Sequence, residues 1–343
     1  MKIIYALARK FAIVVLLLLI TACGVSTQAP LSTASPAPAS VPSEVIESTP
    51  TEDTPSKNPP VDLFPFPTSD STIPTPSAVL LDVTYCTMDS VPLKMDLYFP
   101  PQGDKPSPVL MYVHGGGWSS GDRKEIRGMR DLPMFTDAGY VVIAIDYRLA
   151  PEYHFPAMIQ DVKCAVRYLR AHAEEYNLDP DRFAAWGLSA GGHLVSLLGL
   201  ADESAGWDVG EYLDQSSRVQ AVISMFGLVD LTVLDPESEL MQMLFGVSHV
   251  DSADLARASA ATYISPDDPP FMIVHGNRDW VVPQAQSVNF DARLDAAGVP
   301  SQLLLVKNAG HGFIPMGKPL EPSVQEVLQL MLAFLNQRLN FTQ

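Results

Sequence analysis

Beyond residue 78, short apolar runs alternate with stretches of helical period, and this alternation leaves few folds open. Val109–Val113, Tyr140–Ile145, Val219–Met225, Phe271–His275 and Leu303–Val306 are apolar along most or all of their length. They lack the strict alternation of a strand with one wet face, and read as strands buried on both sides. In 155–173, Ile159, Val162, Ala165, Val166 and Leu169 fall on one side of a helix. The stretches 190–200, 284–297 and 323–338 read as further helices, and Arg182–Leu188 as the strand that enters the first of them. Strands alternating with helices predict an α/β fold, a mostly parallel central sheet with helices on both faces and right-handed crossovers. Ahead of them, Val79–Thr87 and Leu93–Phe99 read as antiparallel strands joined by a turn at Met88–Val91.

The N-terminal part is a different material. Lys2, Arg9 and Lys10 precede an apolar run from Phe11 to Ile20, too short for a standard spanning helix of roughly 20 residues. Residues 1–22 therefore read as a secretory signal peptide. The stretch Leu19-Ile20-Thr21-Ala22-Cys23 is similar to a bacterial lipobox, which implies cleavage before Cys23 and lipidation of that cysteine. From 23 to 77, Pro, Ser and Thr dominate without apolar periodicity, so this segment is expected to be a disordered tether. The catalytic or binding domain is expected over 78–343. The chain is thus read as exported and held by Cys23 at a bacterial membrane or cell surface.

The formal charge of −17 argues against a nucleic-acid partner, whose phosphates need Lys and Arg. No His/Cys spacing suggests a metal site. Of the three cysteines, Cys86 and Cys164 fall in the folded part, on a strand and a helix. An exported domain permits a disulfide, but nothing in the sequence brings the two together, and separate buried thiols are expected.

In sheets of this kind, sites lie at the carboxyl ends of the strands. Four ends carry reactive or glycine-rich chemistry. His114-Gly115-Gly116-Gly117-Trp118 follows Val113, and Ser189-Ala190-Gly191-Gly192 follows Leu188. His275-Gly276-Asn277-Arg278-Asp279 closes the Phe271 strand, and Lys307 to Phe313, with His311, follows Val306. All four should open on one edge. Serine is also a common helix N-cap, so Ser189 alone would carry little.

Together these motifs resemble the α/β-hydrolase superfamily, near the hormone-sensitive-lipase-like carboxylesterases and the bacterial feruloyl and acetyl-xylan (BD-FAE-like) esterases. The resemblance covers about 80 to 338 and rests on HGGGW at 114–118, DYRLAPE at 146–152, FPAMIQDVKCAVRYLR at 155–170, GLSAGGHL at 187–194, HGNRDWVVP at 275–283 and AGHGF at 309–313. Leu188 stands where the lipase-like branch usually has Asp, and the acid motif differs too, which favours the feruloyl/acetyl-xylan type.

The resemblance implies a nucleophile elbow at Ser189, with Gly187 and Gly191 too tightly placed to carry side chains. It also implies the order nucleophile, acid, histidine. Of seven histidines only His311 lies beyond Asp279, so Asp279 is the expected acid and His311 the expected base. Asp230 is the alternative acid, while Asp267 and Asp268 read as a polar loop. Backbone N–H groups of Gly116, Gly117 and Ala190 should form the oxyanion hole. His114 is expected to orient that loop, and His193 to be structural. Trp118 and Trp280 flank the site and would line an acyl or sugar pocket, or simply pack. Residues 228–268 read as an insertion that shapes the mouth. The expected activity is a serine esterase that needs no cofactor, acting on acetyl or feruloyl esters of polysaccharides or on short-chain esters. The rivals are a peptidase or amidase on the same fold and a catalytically silent binding lipoprotein.

Overall fold

The computed structural model describes residues 78–101, 105–128 and 132–341. The proposed signal peptide, Cys23 and the tether lie outside the described residues. Among the described residues no helix is long and apolar enough to cross a membrane.

Eight strands form one sheet in the order β1-β2-β4-β3-β5-β6-β7-β8. They are β1 (Ala78–Met88), β2 (Val91–Phe99), β3 (Ser107–Val113), β4 (Val141–Ile145), β5 (Leu178–Leu188), β6 (Ala221–Met225), β7 (Phe271–Gly276) and β8 (Ser301–Val306). The β1–β2 and β2–β4 pairings are antiparallel, and every other pairing is parallel. The helices are α1 (Leu132–Asp137), α2 (Ala157–Ala171), α3 (Ala190–Leu200), α4 (Glu239–Phe245), α5 (Ser252–Ala258), α6 (Ala285–Ala297) and α7 (Val324–Arg338). The short α1 has no periodic signal in the sequence.

Alternation along the central strands divides the core in two. Val109, Met111 and Val113 of β3 face a cluster with residues of α2, α3 and α6, such as Val162, Leu197 and Phe290. Leu110 and Tyr112 face the opposite cluster with α1 and α7 residues such as Phe135 and Met331. Both faces of the parallel strands are therefore covered, which is why their sequences are apolar without interruption. A reciprocal capping box starts α7: the Ser323 hydroxyl accepts from the Glu326 amide, and the Glu326 carboxylate accepts from the Ser323 amide.

Cys86 and Cys164 are joined in a disulfide with Cα atoms 6.5 Å apart, which corrects the expectation of separate thiols. The pairing of β1 with β2 slips between Thr84 and Cys86. Two successive side chains, Tyr85 and Cys86, are thereby buried, against the alternation of a regular strand. Cys86 thus meets α2, which packs on this part of β1.

Candidate active site

Ser189 sits between the end of β5 and the start of α3 with φ 52° and ψ −115°, a conformation that side-chain-bearing residues rarely hold. Two close backbone approaches enforce it. A Cβ on Gly187 would lie 2.2 Å from the carbonyl oxygen of Gly191, and one on Gly191 would lie 2.1 Å from that of Val113. The expected clash at both glycines is therefore met. Ser189 holds the N-cap position of α3, but its side chain makes no capping hydrogen bond. The hydroxyl is directed elsewhere: Oγ stands 3.1 Å from Nε2 of His311.

The 3-10 turn His311–Phe313 after β8 brings that histidine over the sheet edge. Its Nδ1 lies 2.7 Å from Oδ2 of Asp279, in the loop after β7. A carboxylate can only accept, so Nδ1 carries the hydrogen and Nε2 is left to accept from Ser189. The carboxylate has no solvent exposure and His311 little. Burial pushes the Asp279 pKa up, but hydrogen bonds from His275, His311 and the Val282 amide outweigh it and hold the group well below the usual carboxylate range. Asp230, the alternative acid, instead caps the turn at Thr232 and lies 3.4 Å from Arg293. Asp268 binds back to Ser265 in a polar turn.

On the other side of Ser189, Gly116 and Gly117 take φ of 95° and 58°. The amides of Gly116, Gly117 and Ala190 make no backbone hydrogen bond among the described residues. Ala190 is the first residue of α3, where amides lack helical partners and the helix dipole is positive. The glycine loop is held from below. The Tyr147 hydroxyl donates to the carbonyls of His114 and Gly115, and the His114 ring stacks on Tyr147 with centroids 4.2 Å apart. Nδ1 of His114 lies 2.9 Å from the Gly115 carbonyl, and burial holds its pKa below the histidine norm. His114 thus makes the side-chain hydrogen bond to this loop that the sequence reading expects. His193 is also structural: its Nδ1 accepts from the Trp118 indole and its Nε2 donates to the Ala258 carbonyl.

These groups open on a cavity of about 210 Å³ whose walls are mostly apolar. Ser189, His311 and the 115–118 loop line it, with Phe226, Leu228, Leu240 and Val281. Leu228 and Leu240 come from the 228–268 insertion, so that segment does shape the pocket. The two flanking tryptophans differ. Trp118 lines the cavity but is wholly buried, with its N–H given to His193. Trp280 is 60% exposed and packs its ring against Gly310, next to His311. Sequence reasoning missed Phe226, which meets the His311 ring edge-on at 4.9 Å, and Glu125, which also lines the cavity. Neither stands in a motif that announces such a place.

Fold and site together define an α/β-hydrolase whose serine, histidine and aspartate stand at the ends of three parallel strands. The chain belongs to the BD-FAE family, whose model matches residues 95–294. Esterase LipC of Mycobacterium tuberculosis is 34% identical over 218 residues, 61% of this chain and 54% of that protein. The chain spans about half the length of LipC and of two further mycobacterial relatives, LipM and LipQ. Among solved structures, a truncated carbohydrate esterase from gut microbiota superposes with a TM-score of 0.69 at 28% identity, covering 78% of this chain and 98% of that one. Esterase 2 of Thermogutta terrifontis does so with a TM-score of 0.64 at 27% identity, covering 78% and 96%.

Proposed function

We propose that the protein is a serine carboxylic-ester hydrolase working through an acyl-enzyme on Ser189. The observation that carries this reading is the unbroken line Asp279–His311–Ser189, with contacts of 2.7 and 3.1 Å, ending at a cavity flanked by free amides. His311 takes the proton of Ser189 as Oγ attacks the ester carbonyl. The amides of Gly116, Gly117 and Ala190 receive the developing oxyanion. His311 then returns the proton to the leaving alcohol, and water repeats the cycle to release the acid. Asp279 fixes the imidazole and stabilises its charged form. The mechanism calls for no cofactor.

The substrates in this reading are acetyl or feruloyl esters of polysaccharides, or short-chain esters. The small apolar cavity supports a compact acyl group, and the likeness to a carbohydrate esterase supports a glycan as the alcohol. Exposed Trp280 offers a flat surface beside His311 on which a sugar or aromatic ring can lie. The protein is exported and anchored through lipidated Cys23, with 24–77 as tether. Support for this is the Leu19–Cys23 stretch, and palmitate labelling of wild type but not of Cys23→Ser tests it.

The test of the activity is hydrolysis of p-nitrophenyl acetate and butyrate by the purified protein beside a Ser189→Ala variant. Turnover by the wild type alone supports the mechanism and leads on to acetyl-xylan and feruloyl substrates. Equal, background-level rates in both would point to a silent binding protein.

A further inference from the structure

Asp279 is held by more than His311. Its Oδ1 accepts from the amides of Val281 and Val282 at 2.8 and 2.9 Å. Its Oδ2 faces two imidazoles: Nδ1 of His311 at 2.7 Å and Nε2 of His275 at 3.4 Å. His275 lies near the end of β7 and has no exposed surface. Its Nε2 also lies 3.0 Å from the Val282 carbonyl. Both atoms in front of Nε2 are acceptors, so this nitrogen carries a hydrogen whatever the charge of the ring. Behind the ring, Nδ1 meets the hydroxyl of Ser287 at 2.7 Å, a buried side chain on α6. The ring is therefore fixed at both nitrogens, from two different elements.

We infer that His275 is a positioning residue for Asp279: its Nε2–H, aimed by Ser287 behind the ring, keeps Oδ2 in line with Nδ1 of His311. The inference rests on the reading of Ser189, His311 and Asp279 as a triad. Two amides hold Oδ1, and the His275 N–H, 3.4 Å from Oδ2, faces the other oxygen as a second donor from a fixed direction. The second donor also shares the negative charge of Oδ2 and so moderates its pull on the His311 ring. Among the described residues, Ser189 and the edge of Phe226 also meet that ring, neither of them charged, and the titratable Glu125 lines the same cavity.

The test compares wild type, His275→Phe, His275→Gln and Ser287→Ala by kcat, KM, pH profile and Tm. His311 is also titrated in each by ring-proton NMR, which needs no substrate. His275→Phe is expected to lower kcat about tenfold, the equivalent of one hydrogen bond, with KM unchanged. Its acid limb and the His311 titration should move to higher pH, since the carboxylate then concentrates its charge on His311. His275→Gln, which keeps an N–H at that end, should recover most of both, and Ser287→Ala should fall between. If Phe and Gln behave alike, with an unmoved titration and losses that follow Tm, His275 is core packing and the inference is overturned. Failure of the esterase reading is seen separately, as a wild type no faster than Ser189→Ala. In that event the NMR titration still decides the role of His275.

Discussion

His311 reaches Asp279 across 2.7 Å although the two residues stand 32 positions apart, after different strands. Parallel pairing of β7 with β8 puts both loops on the same edge, and the β5 loop with Ser189 opens there too. The three side chains are thus brought together by strand direction, and the distances between them are set by the loops.

Removing members of this line should have unequal effects. Ser189→Ala or His311→Ala is expected to reduce turnover of p-nitrophenyl acetate on the order of a millionfold. Asp279→Asn should cost roughly ten-thousandfold, because the imidazole is then held in the wrong tautomer. Steady-state kinetics with matched circular dichroism checks both, and a Ser189→Ala variant with wild-type turnover would remove Ser189 from the mechanism.

Gly191→Ala should damage the elbow through its backbone. The added Cβ would meet the Val113 carbonyl oxygen at 2.1 Å, and neither strand nor helix can yield without moving Ser189. A loss of about 1–3 kcal/mol in stability is expected from such overpacking, together with most of the activity. Denaturant unfolding and kinetics on the same sample measure both.

The insertion should govern acyl size. Leu240 lines the cavity and would stand 3.9 Å from a Cβ on Gly117. Leu240→Trp is expected to lower kcat/KM for p-nitrophenyl butyrate more than for the acetate. An unchanged acetate-to-butyrate ratio would detach the insertion from selectivity.

Stability should fall on mild acidification. Burial pushes the His193 pKa down to about 4, against 6.5 for the free side chain. Between those values the unfolded chain binds a proton that the folded one refuses, so stability declines as pH drops through that window and levels off below it. The size is on the order of 3 kcal/mol, and buried His114 acts in the same direction. Asp279, with its depressed pKa, adds a further loss only below about pH 4. Urea midpoints measured from pH 7.5 to 4 should slope in the wild type and slope less steeply in His193→Asn, where His114 remains.

Opening the Cys86–Cys164 link should cost about 2–4 kcal/mol, since it closes a long loop in the unfolded chain. Thermal melts of the Cys86→Ala/Cys164→Ala pair, or of the wild type under reductant, check this.

How far the sequence alone reached can be seen from particular elements. Val109–Val113 and Phe271–His275 are legible as central strands because a strand covered on both faces must be apolar at every position. Ser189, Asp279 and His311 are legible because strand ends, glycine spacing and chain order together leave few candidates. Periodicity, however, describes one element at a time. The bulge that turns Cys86 inward breaks the alternation that would reveal it, and the disulfide follows from where β1 lies against α2. Trp118 and Trp280 look alike in sequence, yet one is buried on His193 and the other stands in solvent, because packing around each loop decides it. Leu240, Phe226 and the His275–Ser287 pair reach the site from separate segments, and only the tertiary arrangement sets such distances. The sequence by itself determined the layer order and singled out Ser189, Asp279 and His311 as candidates, through burial pattern and backbone sterics. The tertiary structure decided the cavity's shape and what holds Asp279 in place, because both depend on contacts between segments far apart in the chain.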